Sequence, residues 1–296
     1  MTLKAAAGER PAVSVVIPVK NGAGTIGQQL EALATQDYDE AFEVLVIDNR
    51  SDDATADAAR AWADRIPGLR IVPAGERDGI NYARNVGGRA ATGDLVLFCD
   101  ADDVVDRGWV RAMAAASGCD MVGGRIDAET LNTPDVVASR PLYDPDGLPV
   151  AHDFLPFAVG ANCGVRRDVF TQIGGFDEAY VRGGADVEFF WRAQLASYRL
   201  CFVPDAVVRY RYRGGLRPLA RQFYRYGMAD AQLYRRFRSE GLCREPARAI
   251  GQAWWWLVLH LPDLVRSPAR RGRWVRRAAY RGGRVRGSLR QRVVFL

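Results

Sequence analysis

The sequence predicts an α/β fold built on a mostly parallel sheet, and three observations carry that prediction. Apolar runs of strand length, rich in β-branched residues, recur at 13–19, 42–47, 69–72 and 95–99. Segments with helical spacing lie between them, so each strand returns to the sheet through a right-handed crossover. Several runs stop at polar clusters, and open parallel sheets gather their ligands at such strand ends.

The first run, Val13–Val19, reads as a buried strand that ends in a loop at Pro18-Val19-Lys20-Asn21-Gly22. Thr25 is placed to cap a helix whose Ile26, Leu30 and Leu33 share one face. The second strand, 42–47, ends at Asp48-Asn49-Arg50-Ser51-Asp52-Asp53. Ser51 or Asp52 caps an Ala-rich helix expected to reach about Ile66. A short strand at 69–72, a helix at 82–91 and a strand at 95–99 complete the first part. Beyond Gly118 the expected order is a strand at 121–126, a proline-rich loop region at 127–158 and a short helix at 167–173. A longer helix at 185–196 and strands at 200–203 and 207–212 follow. Leu219, Phe223, Tyr226, Leu233 and Phe237 then follow helical spacing, which predicts a packed amphipathic helix.

The net charge of +6 hides an asymmetry. Residues 1–200 carry a net charge of −11 and residues 201–296 carry +17, and 11 arginines with no acid lie within 264–296. This tail, with Trp254-Trp255-Trp256, suits an anionic membrane surface or an acidic acceptor. Nucleic acid is not expected as a partner, since no recognition motif is present and the front half is acidic. Cys99, Cys119, Cys163, Cys201 and Cys243 form no close pairs in sequence, so neither zinc nor a disulfide framework is expected, and a reducing compartment fits. Residues 1–10 lack a signal-type apolar core, and no segment has 18 consecutive apolar residues. A cytoplasmic location, peripheral on the cytoplasmic face of a membrane, is the expectation. His152 and His260 have no partner at metal spacing and are expected to be structural.

The chemistry concentrates where residues 95–99 stop at Asp100-Ala101-Asp102-Asp103. Three carboxylates at the end of a buried strand repel one another and pack poorly. They suit an oxygen-ligated Mg²⁺ or Mn²⁺ ion, which binds through one or two carboxylates plus substrate phosphates. Asp103 is expected to act as a helix cap or a support for the site rather than as a ligand. A second cluster is Gly174-Gly175-Phe176-Asp177-Glu178, followed by Gly183-Gly184-Ala185-Asp186-Val187-Glu188.

In order and spacing, these pieces resemble the family 2 glycosyltransferases over roughly residues 12–215. Val13-Ser14-Val15-Val16-Ile17-Pro18, the Asp48 cluster, Ala83-Arg84-Asn85 leading to Gly93-Asp94, the Asp-Ala-Asp-Asp run and Gly175-Phe176-Asp177-Glu178 before Asp186 carry the resemblance. It implies a GT-A fold, a mixed but mostly parallel sheet flanked by helices, with a helical C-terminal extension. Residues 1–215 would form the GT-A domain, with a nucleotide-binding half at 12–118 and an acceptor half at 119–215. Residues 216–296 would form the Arg-rich extension. The implied activity is inverting, metal-assisted, non-processive transfer of a sugar from a nucleotide-sugar, a UDP-sugar favoured, to a hydroxyl or amine on a lipid-linked or glycan acceptor. By the same resemblance, Asp48 would recognise the base and Pro18, Val19, Lys20 and Asn21 would border the nucleoside. Arg84, Asp100 and Ala101 would complete the donor pocket. Asp102, with Asp100, would hold the metal, and Asp186 would be the catalytic base, with Glu188 as fallback. Gly184, Glu188 and Asn162 would lie on the acceptor side.

The chain departs from the family pattern at Lys20 (often aromatic), Arg50 (often Gly), Ala185 (often Glu) and Tyr210 (often near a His). A nucleotidyltransferase on a related fold, for which Asn21-Gly22-Ala23-Gly24 is a faint match, and a non-catalytic protein binding a sugar-nucleotide or an anionic surface remain the alternatives.

Overall fold

The computed structural model describes residues 11–116, 118–141 and 143–296; the leader reading of residues 1–10 lies outside them. The first half alternates as expected: β1 (Val13–Val19), α1 (Ile26–Ala34), β2 (Phe42–Asp48), α2 (Thr55–Arg60), β3 (Leu69–Pro73), α3 (Ile80–Ala90) and β4 (Leu95–Cys99). Then come β5 (Val104–Val105), α4 (Trp109–Ala115), β6 (Met121–Asp127), α5 (Pro134–Ala138) and the small pair β7 (Val150–Ala151) and β8 (Leu155–Pro156). The rest is β9 (Asn162–Arg166), α6 (Arg167–Ile173), α7 (Ala185–Leu195), β10 (Leu200–Arg209), α8 (Leu216–Phe237), α9 (Ala247–Leu259) and α10 (Pro268–Gln291).

The eight-stranded sheet has the order β3-β2-β1-β4-β9-β6-β10-β5. β3, β2, β1 and β4 run parallel, as do β6 and β10, whereas β9 and β5 run antiparallel to their neighbours. All seven residues of β1 are buried. With a period of two, Val13, Val15, Ile17 and Val19 pack on the α1 side, while Val16 joins Leu45 and Ile47 under α3 and α6. The parallel order places the ends of β1, β2 and β4 on one edge, where the loop after Val19, the Asp48 cluster and Asp100 meet.

Several local expectations needed correction. Thr25 stands at the start of α1 but makes no side-chain cap bond. α2 ends at Arg60 rather than near Ile66, because the chain tightens into turns such as Trp62 N–H to Ala59 O. The strands expected at 200–203 and 207–212 are one strand, β10, with an irregularity between Val203 and Val207. That bulge accommodates Pro204, which has no N–H for a ladder. Cys119 and Cys201 form a disulfide across 82 residues, with their Cα atoms 6.1 Å apart. The sheet makes the pair: β6 and β10 lie side by side, with Cys201 opposite Val122. The argument from scattered cysteines to a reducing compartment therefore does not hold.

α8 and α10 run side by side in the same direction: Gly227 faces Gly283, and Met228 and Ala231 face Gly287. A Cβ at Gly283 would lie 2.1 Å from the Tyr224 carbonyl oxygen, and one at Gly227 would lie 2.1 Å from that of Tyr280. Gly283→Leu is expected to force the helices apart and destabilise the protein by roughly 1–3 kcal/mol, measurable by urea denaturation. α8 packs against the preceding part of the chain, where Leu233, Tyr234 and Phe237 share a core with Tyr180, Ala185, Val187 and Trp191.

Candidate active site

Two loops are stapled together at the sheet edge. Asn21 N–H donates to Ser51 Oγ at 3.0 Å, and Asn21 Oδ1 accepts Asp52 N–H at 3.0 Å. Asp53 Oδ2 accepts Ala23 N–H at 3.1 Å, so this acid ties β-strand loops rather than only capping α2. Asp48 Oδ1 accepts Ser51 N–H at 3.0 Å. Arg50 has φ +63°, a backbone region glycine enters most easily. Its side chain offsets that strain by donating to the carbonyls of Gly75 and Glu76 at 2.6 and 2.8 Å. Lys20 pairs with Asp78 at 2.7 Å.

The acid loop is fixed from beneath. Buried Gln29 donates to Asp100 O at 3.2 Å and accepts Val105 N–H at 2.9 Å. Oxygens of Asp100, Asp102 and Asp103 all lie within 4.8 Å of one another. Burial, then repulsion from Asp100, raises the Asp102 carboxyl above its ordinary range. The same two causes push Asp103 up to about 9. Asp103 caps no helix: it is 1% exposed, and its Oδ1 accepts Arg211 N–H at 2.7 Å. Its Oδ2 has no hydrogen-bond partner among the described residues. Arg84 reaches the cluster from α3, with Nη2 3.0 Å from Asp100 Oδ1 and 3.1 Å from Gly160 O.

Asp186 sits in the first turn of α7, which starts after Gly184 at φ +76°. Its Oδ2 accepts Gly160 N–H at 3.2 Å, and its Oδ1 accepts Val187 N–H at 2.9 Å. Gly160 therefore links two sides: its carbonyl holds Arg84, and its N–H holds Asp186. A cavity of about 1030 Å³ brings together Arg84, Asp100, Asp102, Gly184 and Asp186.

Other expected site residues lie outside that cavity's lining. Pro18, Val19, Lys20, Asn21 and Asp48 form the neighbouring loop edge, and Ala101 is buried in the core beneath α1. Asn162 is corrected from an acceptor-side residue to a structural one. It is fully buried, donates to Arg125 O and Ala206 O, and accepts Trp109 Nε1–H at 2.8 Å. Glu188 is likewise corrected: it is 1% exposed and bonded twice to Arg192, at 2.7 and 3.0 Å.

A model of "Glycosyl transferase family 2" matches residues 14–174, more than half of the chain. The chain belongs to glycosyltransferase family 2. A "Glycosyl transferase family group 2" model matches residues 149–280. The glycosyltransferase AglE of Haloferax volcanii is 30% identical over 256 residues, which is 85% of this chain and 82% of that protein. A pre-mycofactocin glycosyltransferase of Mycobacterium tuberculosis is 29% identical over 236 residues, which is 75% of this chain and 47% of that protein. Among solved structures, the mannosyltransferase PcManGT of Pyrobaculum calidifontis, in complex with GDP-Man and Mn²⁺, superposes with a TM-score of 0.60 at 22% identity. It covers 95% of this chain and 88% of its own. TarS of S. aureus in complex with UDP-GlcNAc gives a TM-score of 0.54 at 18% identity, covering 96% and 93%.

The protein is thus a glycosyltransferase with the GT-A fold, and the nucleotidyltransferase and non-catalytic readings fall. In this family 2 enzyme the sequence reading missed an aromatic wall of the cavity. Tyr143, Tyr210, Tyr212 and Tyr226 line it. Tyr210 packs edge-on against Tyr143 and Tyr212, with centroids 6.4 and 5.4 Å apart. Burial pushes the Tyr143 and Tyr210 phenols up and Tyr212 to about 12, so all three stay protonated near neutral pH. The available signal was Tyr210 and Tyr212 beyond a strand end, which strand periodicity alone does not assign to a cavity. No described helix is long and apolar enough to cross a membrane.

Proposed function

We propose that the enzyme transfers a sugar, with inversion and one unit per encounter, from a nucleotide-diphospho-sugar to an acceptor hydroxyl or amine. The observation that carries this reading is the single cavity holding Asp100, Asp102 and Asp186, braced through Gly160. The acid cluster fits a divalent ion. All of its donors are oxygens, one from each acid converges within 4.8 Å, and burial followed by repulsion from Asp100 raises the Asp103 carboxyl, a cost that a cation would relieve. Asp102 and Asp100 would hold Mg²⁺ or Mn²⁺, with Asp103 near enough to join them. When bound, the ion offsets the charge that grows on the departing diphosphate.

Asp186 takes the proton from the attacking hydroxyl, and the sugar carbon is displaced directly from the opposite face, which inverts it. Arg84 keeps Asp100 in place. Asp48, with one oxygen turned to Ser51 N–H, is assigned to the base, and Pro18, Val19, Lys20 and Asn21 to the edge of the nucleoside. A UDP-sugar is favoured, as uracil offers the N–H that Asp48 would accept; TarS carries a UDP-sugar and PcManGT carries GDP-Man. Gln222 donates to the Tyr226 hydroxyl at 2.9 Å.

The test is thermal denaturation with UDP-, GDP- and dTDP-sugars. Near 100 Kd of the correct donor with Mn²⁺, Tm is expected to rise by about 5 °C. EDTA or Asp102→Asn should remove the rise. No metal-dependent rise with any donor would overturn the reading.

The acceptor is assigned to a membrane surface because of α9. Only Leu257 in this helix is buried. Trp254, Trp255, Val258 and Leu259 are exposed, with Leu261 and Val265 beyond them and Arg266 and Arg270 beside them. An exposed apolar face with adjoining arginines matches the headgroup region of an anionic bilayer. Trp255→Asp with Leu259→Asp is expected to weaken binding to phosphatidylglycerol vesicles at least about tenfold, given about 1.5–3 kcal/mol per buried large apolar side chain. Unchanged co-sedimentation would remove the membrane assignment.

A further inference from the structure

The cavity extends beyond Asp186 along α8, where Arg213, Arg217, Arg221 and Arg225 line it. Arg217, Arg221 and Arg225 are four residues apart and form one stripe of the helix. All three are exposed, and none has a hydrogen-bond or acid partner among the described residues. Neighbouring arginines are different. Arg140 donates to Arg213 O, and Arg281 and Arg284 pair with Glu245. Among the described residues, none of the cavity's acids, Asp100, Asp102, Asp186 or Asp230, is hydrogen-bonded or ion-paired to the stripe. Asp100 is held by Arg84, Asp186 by Gly160 N–H, and Asp230 by Tyr280 and His152. Like charges at this spacing repel and weaken a helix, so the stripe is matched to an anion from outside the chain. Guanidinium forks suit phosphate, whose oxygens accept paired N–H bonds. Apolar groups stand at the same cavity, since Ile80 and Val181 are 49% and 65% exposed.

We propose that Arg217, Arg221 and Arg225 bind a phosphate group carried by the acceptor, with its hydroxyl directed to Asp186. This rests on the reading of Asp186 as base. The phosphate is a handle and breaks no bond. The acceptor oxygen bonds to the sugar carbon, its proton passes to Asp186, and the nucleoside diphosphate leaves with the electron pair of the broken bond.

The test measures binding by calorimetry in EDTA, where the donor site is silent, with farnesyl monophosphate, farnesol and glucose 1-phosphate as probes. The phosphate-bearing probes should bind wild type, with farnesyl monophosphate at least about tenfold tighter than farnesol. The R217Q/R221Q/R225Q variant should lose about tenfold or more of that affinity, and the corresponding triple-lysine variant should keep most of it. Farnesyl monophosphate binding more tightly than glucose 1-phosphate assigns a lipid phosphate, and equal binding assigns a soluble phosphate ester. Equal affinity for farnesol and farnesyl monophosphate overturns the proposal. So does wild-type binding by the triple-Gln variant, or an equal loss in R89Q/R107Q/R290Q, which removes the same charge from exposed positions outside the cavity lining. UDP–Mn²⁺ binding, measured separately, should be unchanged in the triple-Gln variant; its absence in wild type would sink the donor reading alone.

Discussion

Replacing Asp186 with asparagine is expected to lower kcat by about 10²–10⁴-fold, the usual worth of general-base help, while nucleotide-sugar binding is unchanged. The substitution is nearly isosteric. An amide oxygen can still accept Gly160 N–H, which in the wild type lies 3.2 Å from Asp186 Oδ2, so the brace to Arg84 survives. What is lost is the ability to take a proton from the acceptor. The interaction matters in the transition state, so kcat and kcat/KM for the acceptor should fall together. Steady-state kinetics with calorimetric titration of UDP–Mn²⁺ separates the effects. Retained turnover removes Asp186 from the base role. Loss of nucleotide binding would instead show that Asp186 shapes the pocket.

The strands were legible because burial leaves a local record. Val13–Val19 is apolar on both faces except for Ser14, and the run begins and ends where the strand does. The helix Arg167–Ile173 was also read with correct ends, since Gly174 stops it in a left-handed conformation that glycine readily adopts. The acid loop was legible for the opposite reason, because clustered charge after a buried strand is costly without a purpose. The failures share a cause. Cys119 with Cys201 and Asn162 with Trp109 are partnerships between residues distant in sequence, and each partner alone looks ordinary. The family resemblance puts Asn162 on the acceptor side. The sheet instead sets it under a break in β10, where it satisfies the Arg125 and Ala206 carbonyls. Arg50 shows the reverse: it stands where the family pattern often has glycine, and its left-handed backbone is anchored through its own guanidinium.

Arg84→Met is expected to destabilise the metal-free protein by about 3–5 kcal/mol, because it removes one partner of a buried ion pair and leaves the other uncompensated. Arg84 is 6% exposed, and its guanidinium lies 5.5 Å from the Phe176 ring centre, so a methionine keeps most of the packing and deletes mainly the charge. Burial opposes that charge, but the Asp100 carboxylate holds it in place. Without it, Asp100 faces Asp102 and Asp103 with no cation between α3 and the acid loop, and Gly160 O loses its guanidinium donor and keeps only the Cys163 thiol at 3.9 Å. Chemical denaturation in EDTA and in Mn²⁺ reads the two consequences separately. The destabilisation should be largest in EDTA and partly recovered with Mn²⁺, since an ion on the acid cluster restores positive charge beside Asp100. Asp100→Asn in the same background should soften the loss, giving a coupling energy in the double-mutant cycle. Equal destabilisation in EDTA and Mn²⁺, with no coupling to Asp100, would mean that Arg84 acts through packing on Phe176 and not through the charge balance of the metal site.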